Sequence, residues 1–138
     1  MAKESGIGMT CTVDDSGGTG RAISNDVTNV AIGMPSPVQD ITGVNSTGME
    51  RLLLIADLSI TLNGVFNDAA TTGAHTVLAS FRTLAASQTG RTTVIVVSGD
   101  TLTNEVLYTD YALTRAADGS LTWSAPGGLS NGTLSAWA

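Results

Sequence analysis

The sequence predicts a mainly β protein, an antiparallel β-sandwich or half-barrel with one flanking α-helix at about residues 73–85. Five segments alternate apolar and polar residues with the period of two that is typical of half-buried strands, and a sixth is apolar on both faces. Aromatic residues make up only 4% of the 138 residues, charged residues only 13%, and there are 16 glycines. One segment alone has helical periodicity. The length fits one domain over residues 1–138.

The first four predicted strands follow the chain in order. In Met9–Val13, apolar side chains alternate with threonines. The segments Val30–Met34 and Ser59–Phe66 show the same alternation and should each bury one face. The segment Thr92–Ser98 is apolar on both faces, so the sequence predicts a strand that is covered on both sides.

The segments Glu105–Arg115 and Ser120–Ser124 are predicted to form a hairpin. The dipeptide Asp118-Gly119 is a strong turn signal, because glycine adopts the left-handed conformation at low cost. Strand register must keep apolar residues on one face, which favours a three-residue loop at 117–119 with a bulge at Gly119. The predicted pairs are Ala116 with Ser120, Thr114 with Thr122, and Leu113 with Trp123.

The predicted helix follows from one apolar stripe with helical spacing. Its members are Ala74, Val77, Leu78, Phe81 and Leu84. Thr71 or Thr72 is the expected cap at its start. The N-terminus and the segments 14–20, 35–48 and 127–132, which are rich in glycine or proline, are predicted to be flexible.

The charge balance is acidic, with 6 Lys and Arg against 12 Asp and Glu and a net charge of −6. This argues against a protein that grips nucleic acid, because phosphate binding needs clustered basic side chains. Strand edges of monomeric proteins are usually protected by lysine and proline, yet Lys3 is the only lysine. The shortage of lysine is either accidental or a sign that copies of the chain pair through their edges.

The longest apolar run, Leu52–Ala56, is far shorter than the ~20 residues of a membrane helix. The N-terminus lacks the apolar stretch of a secretory signal. The sequence therefore predicts a protein made in the reducing cytosol without membrane insertion.

The only cysteine and the only histidine are both predicted to be structural. A lone Cys11 excludes an intrachain disulfide and a thiolate zinc site, and its alternating neighbourhood predicts a buried, inert thiol. His75 lies on the predicted helix, where a solvated or hydrogen-bonded side chain is expected rather than a catalytic one.

Two glycine-rich or acidic features resemble ligand sites without matching them. Ser16–Gly20 lacks the Gly-Lys-Ser/Thr ending of a phosphate-binding loop, and Asp14, Asp15 and Asp26 lack the spacing of a calcium loop. No residue is therefore predicted to be catalytic, cofactor-binding or metal-binding. The expectation is a protein with no cofactor and no enzymatic activity.

Ordered segments from about Val27 to the C-terminus resemble the tail tube (major tail) proteins of tailed bacteriophages. They are Asp40–Val44, Glu50–Leu53, Leu58–Asn67 and Thr109–Trp123. The last of these contains DYALTRAADGSLTW, similar to a DYxLxRxxDGSLTW hairpin that is common in that family.

The resemblance implies a structural virion protein with a tail-tube-like fold, whose copies form hexameric rings that stack into a tube for DNA ejection. The lumen would hold a tape-measure protein during assembly, and DNA would then pass through it without specific binding. Tail-tip or baseplate and tail-terminator proteins would bind the two ends. The expected location is the virion tail, after assembly in the host cytoplasm.

Two physical features suit the role that the resemblance implies. Six copies at −6 give −36 per ring, and an anionic wall would keep DNA from adhering. The loops 14–20 and 35–48 are candidates for arms that become ordered when rings stack.

Three other readings stay open at the level of sequence. The chain is alternatively another virion component, such as a tail-terminator or head-decoration protein. It is alternatively a small-ligand-binding β-barrel, whose pocket would be lined by Phe66, Tyr108, Tyr111 and Trp123. A hydrolase built from a serine and His75 would lose its activity on the substitution His75→Ala.

Overall fold

The computed structural model describes residues 3–85 and 89–138. The start of the predicted flexible N-terminus, at residues 1 and 2, lies outside the described residues. The elements are β1 (Thr10–Asp14), β2 (Gly20–Ala22), a 3₁₀ helix (Ser24–Asp26), β3 (Val27–Gly33), β4 (Val38–Asp40), β5 (Arg51–Leu53), β6 (Ser59–Val65), α1 (Ala74–Leu78), β7 (Arg91–Val97), β8 (Asp100–Tyr108), β9 (Ala112–Arg115) and β10 (Leu121–Leu129). The prediction of a mainly antiparallel β fold with a helix is confirmed.

Eight strands form one antiparallel sheet in the order β2-β1-β7-β8-β10-β6-β3, with β9 also paired to β10. Strand β10 organises this sheet, because its residues Leu121–Ser124 pair with β9 and its residues Gly127–Leu129 pair with β8. Residues Thr122–Gly128 pair with β6. The predicted flexible segment 127–132 is therefore wrong at its start, because residues 127–129 belong to β10. Strands β4 and β5 form a separate two-stranded sheet.

One face of the large sheet carries the hydrophobic core. Alternate residues of β1, β3, β6, β7, β8 and β10 point into it, and α1 contributes Ala74, Val77 and Leu78 to the same cluster. The buried sheet residues include Cys11, Val13, Ile60, Leu62, Ile95, Leu102, Val106, Tyr108, Trp123 and Ala125. The burial of these apolar side chains stabilises the fold, and only this face of the sheet is buried by the core.

The hairpin of β9 and β10 has the predicted register. Leu113 lies opposite Trp123, and Thr114 lies opposite Thr122. The Ala116 backbone N–H donates to the Ser120 carbonyl at 2.9 Å, so the loop has three residues. Gly119 has φ +93°, the left-handed conformation that its position requires.

The predicted strand Glu105–Arg115 is wrong as a single element. Strand β8 ends at Tyr108 and β9 begins at Ala112. Residues three apart on one strand point to opposite faces, yet Tyr108 is buried in the core and Tyr111 packs against it. The strand is therefore interrupted so that both rings reach the same side.

Strand β7 lies where the sequence predicts, but it is not covered on both sides in the single chain. Ile95 is buried in the core, whereas Val94 and Val96 on the other face are only half-buried. Their partial burial comes from within the sheet, where Thr12 and Thr103 flank Val94 on the neighbouring strands.

The predicted helix 73–85 is wrong in its length. Helix α1 ends at Leu78, and the bonds from Phe81 N to Leu78 O and from Thr83 N to Ser80 O show that turns replace it. The buried guanidinium of Arg91 explains this ending. It donates to the carbonyls of Val77, Ser80 and Thr83, the first two of which would otherwise accept from residues 81 and 84 of a continuing helix.

The predicted threonine cap is also wrong. Gly73 occupies the N-cap position and makes no side-chain capping bond. The carboxylate of Asp26, from the 3₁₀ helix, accepts instead from the Ala74 N–H at 3.1 Å and from Asn67 Nδ2 at 3.0 Å. A distant residue therefore supplies the first acceptor of α1.

Candidate assembly surfaces

Residues 37–55, which we call the arm, leave the large sheet as a separate hairpin. Strands β4 and β5 pair from Val38 opposite Leu53 to Asp40 opposite Arg51. The Leu54 N–H donates to the Pro37 carbonyl at 2.9 Å, which closes the hairpin at its base. The loop 35–48 of the sequence prediction therefore contains strand β4 and the turn that follows it.

The arm presents apolar side chains to solvent. It holds eight of the fourteen large hydrophobic residues that are exposed in the described chain: Val38, Ile41, Val44, Met49, Leu52, Leu53, Leu54 and Ile55. Ile55 is 89% exposed and Leu53 is 70% exposed. So many exposed apolar side chains on one hairpin are typical of an interaction site rather than of an ordinary monomer surface.

The loop 35–48, predicted as a candidate arm, covers the first part of this hairpin, but strand β5 and the apolar residues 52–55 were not predicted to belong to it. The signal was present in the run Leu52–Ala56, which is apolar without period two or 3.6 and so fits neither a half-buried strand nor an amphipathic helix. The run is too short for a membrane helix.

The face of the large sheet that points away from the core is the second surface. It is made mostly of hydroxyl, amide and small side chains. Its large apolar residues are Val65, Val94, Val96 and Leu107. Its hydroxyl and amide residues include Thr10, Thr12, Asn29, Ser59, Thr61, Asn63, Thr92, Thr101, Thr103, Thr122 and Ser124. Within the described strands, this uncovered face carries no Lys or Arg.

Two carboxylates lie on the uncovered face, and both contact Thr92. The Thr92 hydroxyl donates to Glu105 Oε1, and Glu105 lies directly opposite Thr92 across β7 and β8. Burial raises the pKa of Asp14, and the nearby charges of Glu105 and Asp15 add to the rise, while hydrogen bonds from Thr92 oppose it.

The two ends of the sheet differ in length. Strand β2 has three residues, whereas β3 has the seven residues Val-Thr-Asn-Val-Ala-Ile-Gly. Strand β3 pairs with β6 and contains neither a charged residue nor proline, the devices that usually prevent an edge from pairing with another chain. A neighbouring copy would find an uncharged edge here.

The residues singled out by their chemistry take structural positions. Cys11 is 2% exposed, and burial raises the pKa of its thiol to about 12, so the prediction of a buried thiol is confirmed. His75 Nδ1 lies 3.0 Å from the Tyr111 hydroxyl, which confirms the expected hydrogen-bonded side chain.

The turn at Ser16–Gly20 is occupied by its own acidic residue. Asp15 Oδ1 accepts from the backbone N–H groups of Gly17 at 2.9 Å and Thr19 at 3.0 Å. Arg21 Nε donates to Asp15 Oδ2 at 3.0 Å. These bonds lower the pKa of Asp15 and take up the donors that a phosphate would need.

The aromatic residues proposed for a ligand pocket pack into the protein itself. Trp123 and Tyr108 are buried in the core, and their polar atoms contact the Val65 carbonyl and the Thr93 hydroxyl. Tyr111 lies 5.9 Å from the Trp123 ring. This arrangement gives no support to the ligand-binding alternative.

Residues 3–85 and 89–138 bring no three His, Cys, Asp or Glu side chains together as a metal site. Within the same residues, no helix has the length and apolar character to cross a membrane.

No protein-family model and no curated protein matches the sequence. The fold, however, is similar to that of solved structures. One is the tail of an empty gene transfer agent particle, obtained by helical refinement with C6 symmetry, with a TM-score of 0.71, 16% identity, and coverage of 99% of this chain and 98% of that chain. Another is the virion of a native gene transfer agent particle, with a TM-score of 0.70, 16% identity and the same coverage. The predicted tail-tube-like fold is thereby confirmed.

Proposed function

We propose that this chain is a structural subunit of a phage-like tail, whose copies form hexameric rings that stack into a tube through which DNA passes. The fold supports this over nearly the whole chain, because the similar structure is a tail with C6 symmetry. The role is mechanical and involves no catalytic step. The protein would act in the virion tail, after assembly in the host cytoplasm.

The observation that carries self-assembly is the exposed arm. Isolated two-stranded hairpins are marginally stable in water, and this one also exposes eight large apolar residues. Burying those residues against another copy would stabilise both the arm and the contact. An arm that extends from one ring would join it to the next, while the uncharged edge of β3 would be covered by a neighbour within the ring.

The uncovered sheet face is suited to the wall of the lumen. Since the core covers only one face of the sheet, a ring of copies would present the other face to a shared interior. Binding to phosphate groups requires basic side chains, and this face has none within the described strands. DNA would therefore slide past hydroxyl groups and the half-buried carboxylate of Glu105, whereas Asp14 lies on the same face but is buried.

This distribution refines the expected anionic wall. Only these two of the chain's 12 acidic residues lie on the uncovered face of the described strands, so most of the net charge of −6 lies elsewhere. The wall would be weakly anionic and rich in hydroxyl groups. A tape-measure protein would occupy the lumen before DNA, with tip and terminator proteins at the ends.

Electron microscopy and native mass spectrometry of the concentrated full chain test the proposal. Hollow tubes or stacked rings of six are expected. Single rings that never stack would favour the tail-terminator alternative. A chain that remains monomeric at every concentration would contradict self-assembly.

A pair of arm substitutions tests which surface joins the rings. Leu53→Ser combined with Ile55→Ser removes two of the most exposed apolar side chains of the arm, so stacking should be lost while the free energy of unfolding stays within about 0.5 kcal/mol. Leu84→Ser is the matched control, because Leu84 is 42% exposed and lies outside the arm. Normal tubes from the double variant would show that the arm is not the stacking contact.

A further inference from the structure

The chain contains two Asn-Gly dipeptides, Asn63-Gly64 and Asn131-Gly132, in contrasting surroundings. The backbone nitrogen that follows an asparagine can attack the carbon of its side-chain amide. Glycine permits this best because it has no side chain to block the approach and the widest choice of backbone conformations. The reaction needs only water, but it also needs a backbone that is free to rotate.

Asn131 and Gly132 both lie exposed in the loop after β10. Gly132 has φ +77°, and a Cβ built there would meet no atom within 4 Å. The Thr133 N–H donates to Asn131 Oδ1 at 3.1 Å. That bond polarises the amide, and it points at the oxygen on which negative charge develops when the amide carbon is attacked.

Gly64 lies in the middle of strand β6. It pairs with Trp123 on β10 and with Val27 on β3, so the sheet holds its backbone on both sides. A Cβ at Gly64 would lie 2.0 Å from the Asp26 carbonyl oxygen, which shows how closely its surroundings are packed. Attack on the Asn63 amide would require the sheet to open first.

We propose that Asn131 is a site of spontaneous deamidation in the folded protein. The Gly132 nitrogen loses its proton and bonds to Cγ of Asn131, and the side-chain nitrogen leaves as ammonia. Water then opens the resulting five-membered imide at either carbonyl, which gives aspartate or isoaspartate. Each event replaces a neutral amide by a carboxylate and changes the net charge of the chain from −6 to −7.

The isoaspartate product has a second consequence, because it adds a methylene group to the backbone. The loop at Asn131 connects β10 to residues 135–138, which lie along β8. Ser135 N–H donates to Asn104 Oδ1 at 2.8 Å, and Thr101 and Ala138 exchange backbone bonds of 2.7 and 2.9 Å. A longer link should loosen this terminal segment and speed amide hydrogen exchange at Ala138.

The test is a time course of the purified full chain in mildly alkaline buffer, followed by peptide mapping with mass spectrometry and isoaspartate detection. The Asn131 peptide should gain the mass change of deamidation at least about tenfold faster than the Asn63 peptide, because the latter reacts only after the sheet opens. The variant Asn131→Gln should remove the fast reaction and leave the slow one unchanged.

The same time course in denaturant provides the control. Without the fold, both dipeptides should react at similar rates, which would assign the difference to structure. Equal rates at Asn63 and Asn131 in the folded chain would overturn the proposal, as would an Asn131 peptide that stays unmodified while both peptides react in denaturant.

Discussion

At the scale of single residues, Arg91 connects three parts of the chain. It is 1% exposed, and its guanidinium donates to carbonyls of α1 and the turns that follow it, and to the Asp14 carbonyl at 3.4 Å. The spacing of apolar residues over 73–85 predicts a helix that continues beyond Leu78, because this spacing reflects only which side chains face the core. Whether a backbone carbonyl accepts from the next helical turn or from a distant arginine is a tertiary choice.

Replacement of Arg91 should be strongly destabilising. The substitution Arg91→Met removes its hydrogen bonds to the carbonyls of Val77, Ser80 and Thr83, of which the first two keep a donor in the Ser80 hydroxyl and the Thr83 N–H. The loss of these charge-assisted bonds should lower the free energy of unfolding by about 3–5 kcal/mol. Urea denaturation followed by circular dichroism measures this. Arg82→Met is the control, since Arg82 is exposed and should change stability by less than about 1 kcal/mol. Equal effects of the two substitutions would show that the buried contacts contribute little.

The free energy of unfolding should depend on pH through the protonation of Asp14. The raised pKa means that the folded state binds this proton more tightly than the unfolded state. The contribution of Asp14 to the free energy of unfolding therefore becomes more favourable as the pH falls from neutral through the raised pKa, until the unfolded carboxyl is also protonated near pH ~3.9. Wild type should gain stability relative to Asp14→Asn across that range, as measured by urea denaturation at a series of pH values.

Asp118 gives the opposite sign and so serves as the control. Its carboxylate accepts from the Ser120 N–H at 3.0 Å, and hydrogen bonds from Ser120 lower its pKa. Wild type should lose stability relative to Asp118→Asn as the pH falls through that lowered pKa. The same slope for both variants would mean that Asp14 does not bind its proton more tightly in the folded state.

At the scale of elements, the register of the β9–β10 hairpin was predictable, whereas only the first part of the arm was predicted, as the loop 35–48. Turn chemistry at Gly119 and the matching of apolar faces are local properties, and together they specify which residues of the hairpin pair. The arm packs against no core in the single chain, so its side chains carry no period that a strand prediction can use. Its strands form because the two segments are paired with each other, and nothing else in the described chain covers them.

Gly64 shows how one element accommodates another. A Cβ at this position would lie 2.7 Å from the Trp123 ring and 2.0 Å from the Asp26 carbonyl oxygen. We expect Gly64→Ala to lower the free energy of unfolding by about 3 kcal/mol or more, since a packed ring and a backbone carbonyl would both have to move. Thermal unfolding monitored by the fluorescence of Trp123 and Trp137 measures the effect.

Gly128→Ala is the matched control on the neighbouring strand β10. A Cβ there would meet only the Leu58 carbonyl oxygen, at 3.5 Å, an ordinary contact distance. Its effect on stability should be small. A Gly64→Ala variant as stable as this control would mean that the contact between β6 and the Trp123 ring is looser than the structure shows.

At the scale of the whole molecule, composition and alternation were enough to predict the sheet, because a sheet with one buried face leaves a period of two in most of its strands. They did not predict the order β2-β1-β7-β8-β10-β6-β3, in which strands distant in sequence are neighbours. That order brings Asp14, Thr92 and Glu105 side by side from three strands. The candidate surfaces are likewise products of the topology: each strand contributes only two to four residues to the uncovered face.

Cysteine labelling can test whether the uncovered sheet face lines the lumen, because the only native thiol is expected to be unreactive. Cys11 is 2% exposed with a pKa raised to about 12, so a maleimide should react only with an introduced cysteine. Thr103→Cys places a thiol on the exposed, uncovered face of β8, and Ala79→Cys places one on the exposed surface beyond α1, on the other side of the sheet.

Both should react rapidly with large and small maleimides in the unassembled subunit. In assembled tubes, Thr103→Cys should be protected from a maleimide too large to enter the lumen, whereas Ala79→Cys should react unless a neighbouring subunit covers it. Rapid reaction of Thr103→Cys with the large reagent in intact tubes would place the uncovered face on the outside of the tube, and the absence of Lys and Arg on that face would then need another explanation than the passage of DNA.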